Sequence, residues 1–151
     1  MPISMPSRVR TQRLVAEQQR RARGVIDTSV VIYLERLDPS RLPIEIAVSA
    51  ITMAELAAGP HSTHDPEERG QRQDRLQRAE AAFDPIAFDG EAARAYGRIF
   101  ASVVASGRKA RGARAVDLLI AATALAARLP VYIRNGDDFR ALEGLVDVIV
   151  V

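Results

Sequence analysis

Four carboxylates in this 151-residue chain fall where chemistry could be done: Asp27, Glu55, Asp117 and Asp138. Asp27 ends the short β-branched run Val25-Ile26, and Glu55 lies just after the apolar run Ile46-Ala47-Val48. Asp117 heads the apolar segment Leu118–Ala127, and Asp138 follows the run Val131-Tyr132-Ile133. Carboxylates brought together repel one another unless a cation neutralises them. The chain has no cysteine, and its two histidines, His61 and His64, sit in a Pro-flanked loop and are expected to be exposed. Oxygen ligands alone suit a hard divalent ion, Mg²⁺ or Mn²⁺, which is placed to act on phosphoryl groups.

Each acid also has a structural alternative. Asp27-Thr28-Ser29 reads equally as turn and helix N-cap chemistry. Thr52-Met53-Ala54-Glu55 matches a capping box, in which Glu55 serves its own helix. Asp117 near a helix start could complement the helix dipole. Asp137-Asp138 could be a plain acidic turn. What favours chemistry is their joint placement.

The elements that must position them follow from the apolar pattern. Strands are expected at Val25-Ile26, Ile46–Val48, Pro85–Phe88, Pro130–Ile133 and Val146–Val151. Helices are expected at Ser29–Arg36, Thr52–Ala58, Glu67–Phe83, Glu91–Ser106 and Ala115–Arg128, with a helical turn at Asp137–Leu142. Short apolar strands alternating with helices predict an α/β fold with a parallel sheet covered on both faces. In such a sheet ligands bind beyond the carboxyl ends of the strands. There Asp27 would end one strand, Glu55 and Asp117 would lie in first helical turns, and Asp138 would follow the fourth strand.

Composition narrows the classes further. The net charge of +2 hides an asymmetry. Residues 1–24 carry six arginines and one acid, whereas the remainder carries 15 basic and 18 acidic residues. Residues 1–23 thus read as a basic extension outside a domain spanning 24–151. The extension is a disordered tail, an over-long translational start, or an electrostatic arm for nucleic acid or a partner. Leu118–Ala127 is half the length a membrane span needs, and no secretory signal core follows the basic start, so a cytoplasmic protein with no membrane segment is expected. No Gly-x-Ser-x-Gly or P-loop pattern occurs, and the single lysine, Lys109, is misplaced for a phosphoacceptor receiver domain.

The segments Val25-Ile26-Asp27-Thr28-Ser29, Thr52-Met53-Ala54-Glu55-Leu56, Arg114-Ala115-Val116-Asp117-Leu118-Leu119-Ile120-Ala121-Ala122 and Arg134-Asn135-Gly136-Asp137-Asp138-Phe139 occur in the order and spacing of PIN-domain proteins. Over about Gly24 to Val151 the chain resembles VapC-type toxin ribonucleases of toxin–antitoxin pairs. The resemblance implies a three-layer α/β/α sandwich around a parallel sheet of about five strands. It also implies a Mg²⁺- or Mn²⁺-dependent endoribonuclease that cleaves RNA phosphodiester bonds by metal-activated water. Asp27, Glu55, Asp117 and Asp138 would then be the catalytic, metal-binding acids.

By the same resemblance Thr28, Ser29 and Asn135 would hold the pocket or its water, and Arg114 would orient the acids or meet a phosphate. Asp137 and Asn135 are alternatives to Asp138 for the last acidic position. Arg108, Lys109 and Arg111 would contact RNA, although a solvated loop reads equally well. Ile133 replaces a threonine frequent in the family, so one hydroxyl contact is expected to be missing. The implied partners are a VapB-type antitoxin and a second copy in a homodimer. Val30, Val31, Tyr33, Leu34 and Leu56-Ala57-Ala58 are candidate contacts for these partners, and equally candidate core. The competing reading is a non-catalytic RNA-binding or protein-interaction module on the same fold.

Overall fold

Val25 and Ile26 are both fully buried, yet they serve opposite faces of the same strand. Successive strand residues point to opposite sides, so a strand with apolar residues at every position needs cover on both faces. The computed structural model, which describes residues 22–108 and 113–151, shows how that cover is built. The side chains of Ala113 and Asp138 also lie outside the described set. So do Lys109, Arg111 and the basic extension up to residue 21.

Four parallel strands form one sheet: β1 (Arg23–Ile26), β2 (Glu45–Ala47), β3 (Val131–Ile133) and β4 (Val148–Val150), in the order β2-β1-β3-β4. Among the described residues, five α-helices accompany them: α1 (Thr28–Tyr33), α2 (Ala50–Ala58), α3 (Pro66–Ala82), α4 (Gly90–Ala105) and α5 (Ala113–Ala126). Val25, Val131 and Ile133 face a core with Ile99 and Val103 of α4 and Leu118, Ile120 and Ala121 of α5. Ile26 and Tyr132 face a second core with Val30 and Val31 of α1, Leu56 of α2 and Ala79 of α3. The result is the expected three-layer α/β arrangement. Within the described residues no helix is long and apolar enough to cross a membrane.

The sheet has four strands where about five were expected. The segment around Pro85–Phe88 makes one isolated parallel bridge, Ser49 to Ile86, through Ile86 N–H to Val48 O (2.9 Å) and Ala50 N–H to Ile86 O (2.8 Å). The chain turns into α2 at Ala50, so pairing stops after one step.

Helix starts also differ, and this bears on the acids. Helix α2 begins at Ala50 with Ser49 as its cap, its hydroxyl accepting from Thr52 N–H at 3.1 Å. Helix α5 begins at Ala113. Glu55 and Asp117 therefore stand in second turns, not first. A capping box needs the acid at the third helical position, and the dipole effect fades beyond the first turn. Both structural alternatives for these acids lose their basis.

Gly24 is required by close approach. A Cβ there would lie 2.4 Å from Cε2 of Tyr132, whose ring fills the second core. Of the candidate partner contacts, Val30, Val31 and Leu56 are core, whereas Tyr33, Ala57 and Ala58 are exposed.

Candidate active site

The chain leaves β1 at Ile26, and Asp27 is the first residue beyond the strand's carboxyl end. Its extended backbone (φ −77°, ψ 174°) makes it the cap of α1. Oδ1 accepts from Val30 N–H at 2.9 Å and from the Ser29 hydroxyl at 2.8 Å. The N-cap reading is thus correct for Oδ1, and neither of these two bonds uses Oδ2. Asp27 is only 6% exposed. Burial pushes its carboxyl above the ordinary range, against the opposing pull of the Val30 N–H, the Ser29 hydroxyl, the charge of Arg134 and the Ser29 N–H.

Thr28, the next residue, turns toward α2. Its hydroxyl donates to Glu55 Oε1 and stands 3.1 Å from Thr52 Oγ1. Thr52 is fully buried and is tied in turn to Ser49 through the helix cap. A chain of hydroxyls therefore fixes Glu55 relative to the end of β1. Thr52 was not singled out in the sequence reading except as half of a capping box. Its signal was there, as a hydroxyl one turn ahead of the acid in an otherwise apolar helix.

Asp27, Glu55 and Asp117 all line one cleft of about 290 Å³, together with Thr28, Ser29, Ile32, Asn135 and Phe139. Three of the four expected acids, drawn from β1, α2 and α5, thus converge past the ends of β1 and β3. A groove of about 400 Å³ adjoins it, sharing Thr28, Ile32 and Glu55 and continuing along α3 past Arg72 and Arg75. Arg114 is half-buried on α5, one turn ahead of Asp117.

The last acidic position is partly resolved. Asn135 lines the cleft and caps the following 3₁₀ turn, its Oδ1 accepting from Asp137 N–H at 3.3 Å. The Asp137 carboxylate is exposed and pairs with Arg140 at 2.9 Å; Asp137 is not among the residues lining the cleft. Asp138 lies in the turn Gly136–Leu142 by its backbone. Arg108 donates to the carbonyl of Asp137 at 2.5 Å, which tethers the loop before α5 to this turn.

Among the described residues no three His, Cys, Asp or Glu side chains are drawn into a closed ligand cage. The donor set nevertheless fits a hard divalent cation. All donors are oxygens, and Asp27 is a buried carboxylate whose charged form is disfavoured until a cation or proton joins it. Mg²⁺ in particular keeps several waters and is held by one or two carboxylates, so an open cleft is no obstacle.

The sequence offered Tyr33 only as a partner contact or core residue, and Arg134 only as part of the Arg134–Phe139 segment. Arg134 follows β3 directly, and its Cζ lies 3.7 Å from the centroid of the Tyr33 ring. Arg36 lies farther out over the same ring, at 5.8 Å. Both arginines and the tyrosine are exposed.

Comparison with known proteins finds relatives by family, by sequence and by structure. The PIN domain family model matches residues 24–145. Ribonuclease VapC5 of Mycobacterium tuberculosis is 37% identical over 133 residues, covering 86% of this chain and 95% of that protein. The crystal structure of VapBC-5, a member of the VapBC family of toxin–antitoxin systems from the same organism, matches with a TM-score of 0.76. That match covers 86% of this chain and 99% of the other, at 37% identity. VapBC2 from Rickettsia felis, bound to a DNA fragment from its promoter, matches in fold with a TM-score of 0.69 at 22% identity, covering 85% and 98%.

Proposed function

The chain belongs to the PIN-domain family, and from that premise we propose that it is a divalent-metal-dependent endoribonuclease, the toxin of a toxin–antitoxin pair. The observation that carries the reading is the convergence of Asp27, Glu55 and Asp117 on one cleft beyond the sheet's carboxyl end. The names of its relatives, a ribonuclease and a toxin–antitoxin assembly, support RNA as substrate and a VapB-type antitoxin as partner. The same reading makes a homodimer the working form and the cytoplasm its location.

Asp27 through Oδ2, Glu55 and Asp117 would hold Mg²⁺ or Mn²⁺, with Asp138 as a fourth acid by its position after β3. The cation supplies Lewis-acid activation of water and offsets charge developing on the phosphate. The protein's own part is to hold the acids. Val30 N–H and Ser29 fix Asp27 through its other oxygen, and Thr28 fixes Glu55 from the facing helix. Phe139, which is buried, closes the apolar side of the cleft. Asn135 presents its amide to the same space. Arg114 and Arg108, with Lys109 and Arg111 by their place in the sequence, are further proposed RNA contacts.

The test is cleavage of a cellular RNA pool by the full chain with Mg²⁺ or Mn²⁺. Cleavage is expected to stop in EDTA and to fall on the order of a hundredfold or more in Asp27→Asn and Asp117→Asn. Wild-type-like, EDTA-insensitive cleavage by these variants overturns the reading.

A further inference from the structure

The acidic cleft must accept a polyanion, so some cation beside it has to meet the phosphate. Most arginines near this face are already engaged. Arg72 donates to Gly59 O and to Glu68, Arg108 to Asp137 O, and Arg140 pairs with Asp137. Arg134 differs. Among the described residues it makes no hydrogen bond and no ion pair; its contact is the face of Tyr33 at 3.7 Å. A guanidinium carries five N–H donors in its own plane, and seating it over a ring spends none of them. The ring's quadrupole restrains the charge while the donors stay available.

Its position is equally specific. Arg134 is the first residue after β3 and precedes Asn135, which lines the cleft. Its charge is felt at Asp27. Tyr33 follows Ile32, which also lines that cleft. The Arg134–Tyr33 contact therefore joins the end of β3 to α1 beside the cleft, each residue next in sequence to one that lines it.

We propose that Arg134, held by Tyr33 beside the carboxylate cleft, binds the RNA phosphate next to the scissile one, and that Tyr33 is the residue that positions it. The assignment rests on the ribonuclease reading above. An arginine fork grips two phosphate oxygens at once. Held one residue from the cleft lining, it sets which phosphodiester reaches the acids. Tyr33 reduces the freedom the arginine would lose on binding.

The experiment measures cleavage of a fluorescein-labelled, random-sequence 30-nucleotide RNA by the full chain with Mn²⁺, over a series of KCl concentrations. Arg134→Gln is expected to lower kcat/KM about tenfold or more, chiefly through KM. The slope of log kcat/KM against log salt should become shallower by about 0.7, the value for one lost phosphate contact on a single strand. Arg134→Lys should restore the slope and part of the rate. Tyr33→Leu should raise KM, and Tyr33→Phe should recover most of that loss. Arg134→Gln with the wild-type rate and slope, or with a lower rate and an unchanged slope, overturns the assignment. Absence of cleavage by the wild type overturns the ribonuclease reading itself, and the assignment with it.

Discussion

Replacing Asp27 by Asn separates the two tasks this residue performs. Asn keeps a carbonyl oxygen at Oδ1, so Val30 N–H (2.9 Å) and the Ser29 hydroxyl (2.8 Å) keep their acceptor. Asn and Asp are equivalent as N-caps. What the substitution removes is a buried charge whose folded-state pKa lies above its ordinary value of 3.8, mainly through desolvation. The sign follows from linkage. Below pH 3.8 the carboxyl is protonated in both states and costs nothing; above it the unfolded state ionises first and stability falls, until the loss is complete once pH passes the elevated folded value. Asp27→Asn should therefore melt higher than wild type at pH 7.5 in EDTA, with the gain vanishing as pH falls toward 4. For a chain of this length each kcal/mol moves Tm by about 2–4 °C. Asp27→Ala also loses the cap, about 1 kcal/mol, and should melt about 2–4 °C below the Asn variant. Mn²⁺ at a hundredfold excess over its Kd should stabilise wild type by about 2.7 kcal/mol. That corresponds to roughly 5–10 °C, and Asp27→Asn should gain little of it. Scanning fluorimetry or calorimetry reads all of these. An Asn variant that melts below wild type in EDTA would refute the desolvation argument. Equal Mn²⁺ shifts in both proteins would refute Asp27 as a ligand.

Three further outcomes are expected. Gly24→Ala puts a Cβ 2.4 Å from the buried Tyr132 ring and should destabilise by about 1–3 kcal/mol, measured by urea titration. Arg128 holds φ 56° past the end of α5, where Leu129 N–H bonds Ala124 O at 2.9 Å in a Schellman-type close; Arg128→Gly should stabilise by up to about 1 kcal/mol in the same assay. Thr28→Val removes the donor to Glu55 and should weaken Mn²⁺ affinity roughly 10–100-fold by titration calorimetry, with helical content by circular dichroism unchanged.

Legibility in the sequence depended on the range of the interaction concerned. The strand β1, the buried helix α5 and the layering were readable, because Val25-Ile26 and Leu118–Ala122 are apolar at every position and demand cover on all sides. Convergence of Asp27, Glu55 and Asp117 was readable from a general property of parallel sheets, that their carboxyl ends share one edge. Helix starts were not. Thr52 looked like a cap, but Ser49, three residues earlier, fills that role because β2 ends at Ala47 and leaves room for an earlier turn. The segment at Pro85–Phe88 has strand composition, and only the position of Ala50 opposite Ile86 shows why it pairs once. The Tyr33–Arg134 contact joins residues about a hundred positions apart, and no local pattern encodes it. Tyr33 looked like core or interface, and Arg134 stood only as the first residue of the Arg134–Phe139 segment.

The division of labour within Asp27 explains how a strained carboxylate can persist. Were both oxygens free, the side chain would swing out to water and relieve its burial, and the cleft would lose its fixed point. Were both spent on the helix cap, the pKa would fall and no acceptor would remain for a ligand. Two bonds to Oδ1 hold the group in place while its charge stays under-compensated, with Arg134 the nearest counter-charge acting on it. That counter-charge is itself restrained by Tyr33 instead of closing onto the carboxylate as an ion pair. A direct Arg134–Asp27 salt bridge would stabilise the empty cleft and would have to be broken before a cation or a phosphate could enter. Parking the guanidinium on a tyrosine keeps the acid and the base close and unpaired. It follows that Tyr33→Leu should free Arg134 to approach Asp27. In that variant the Asp27 carboxylate should be better compensated, so the Tm in EDTA should rise as the Mn²⁺ affinity falls; a Tm that falls together with the affinity would contradict this account of the pair.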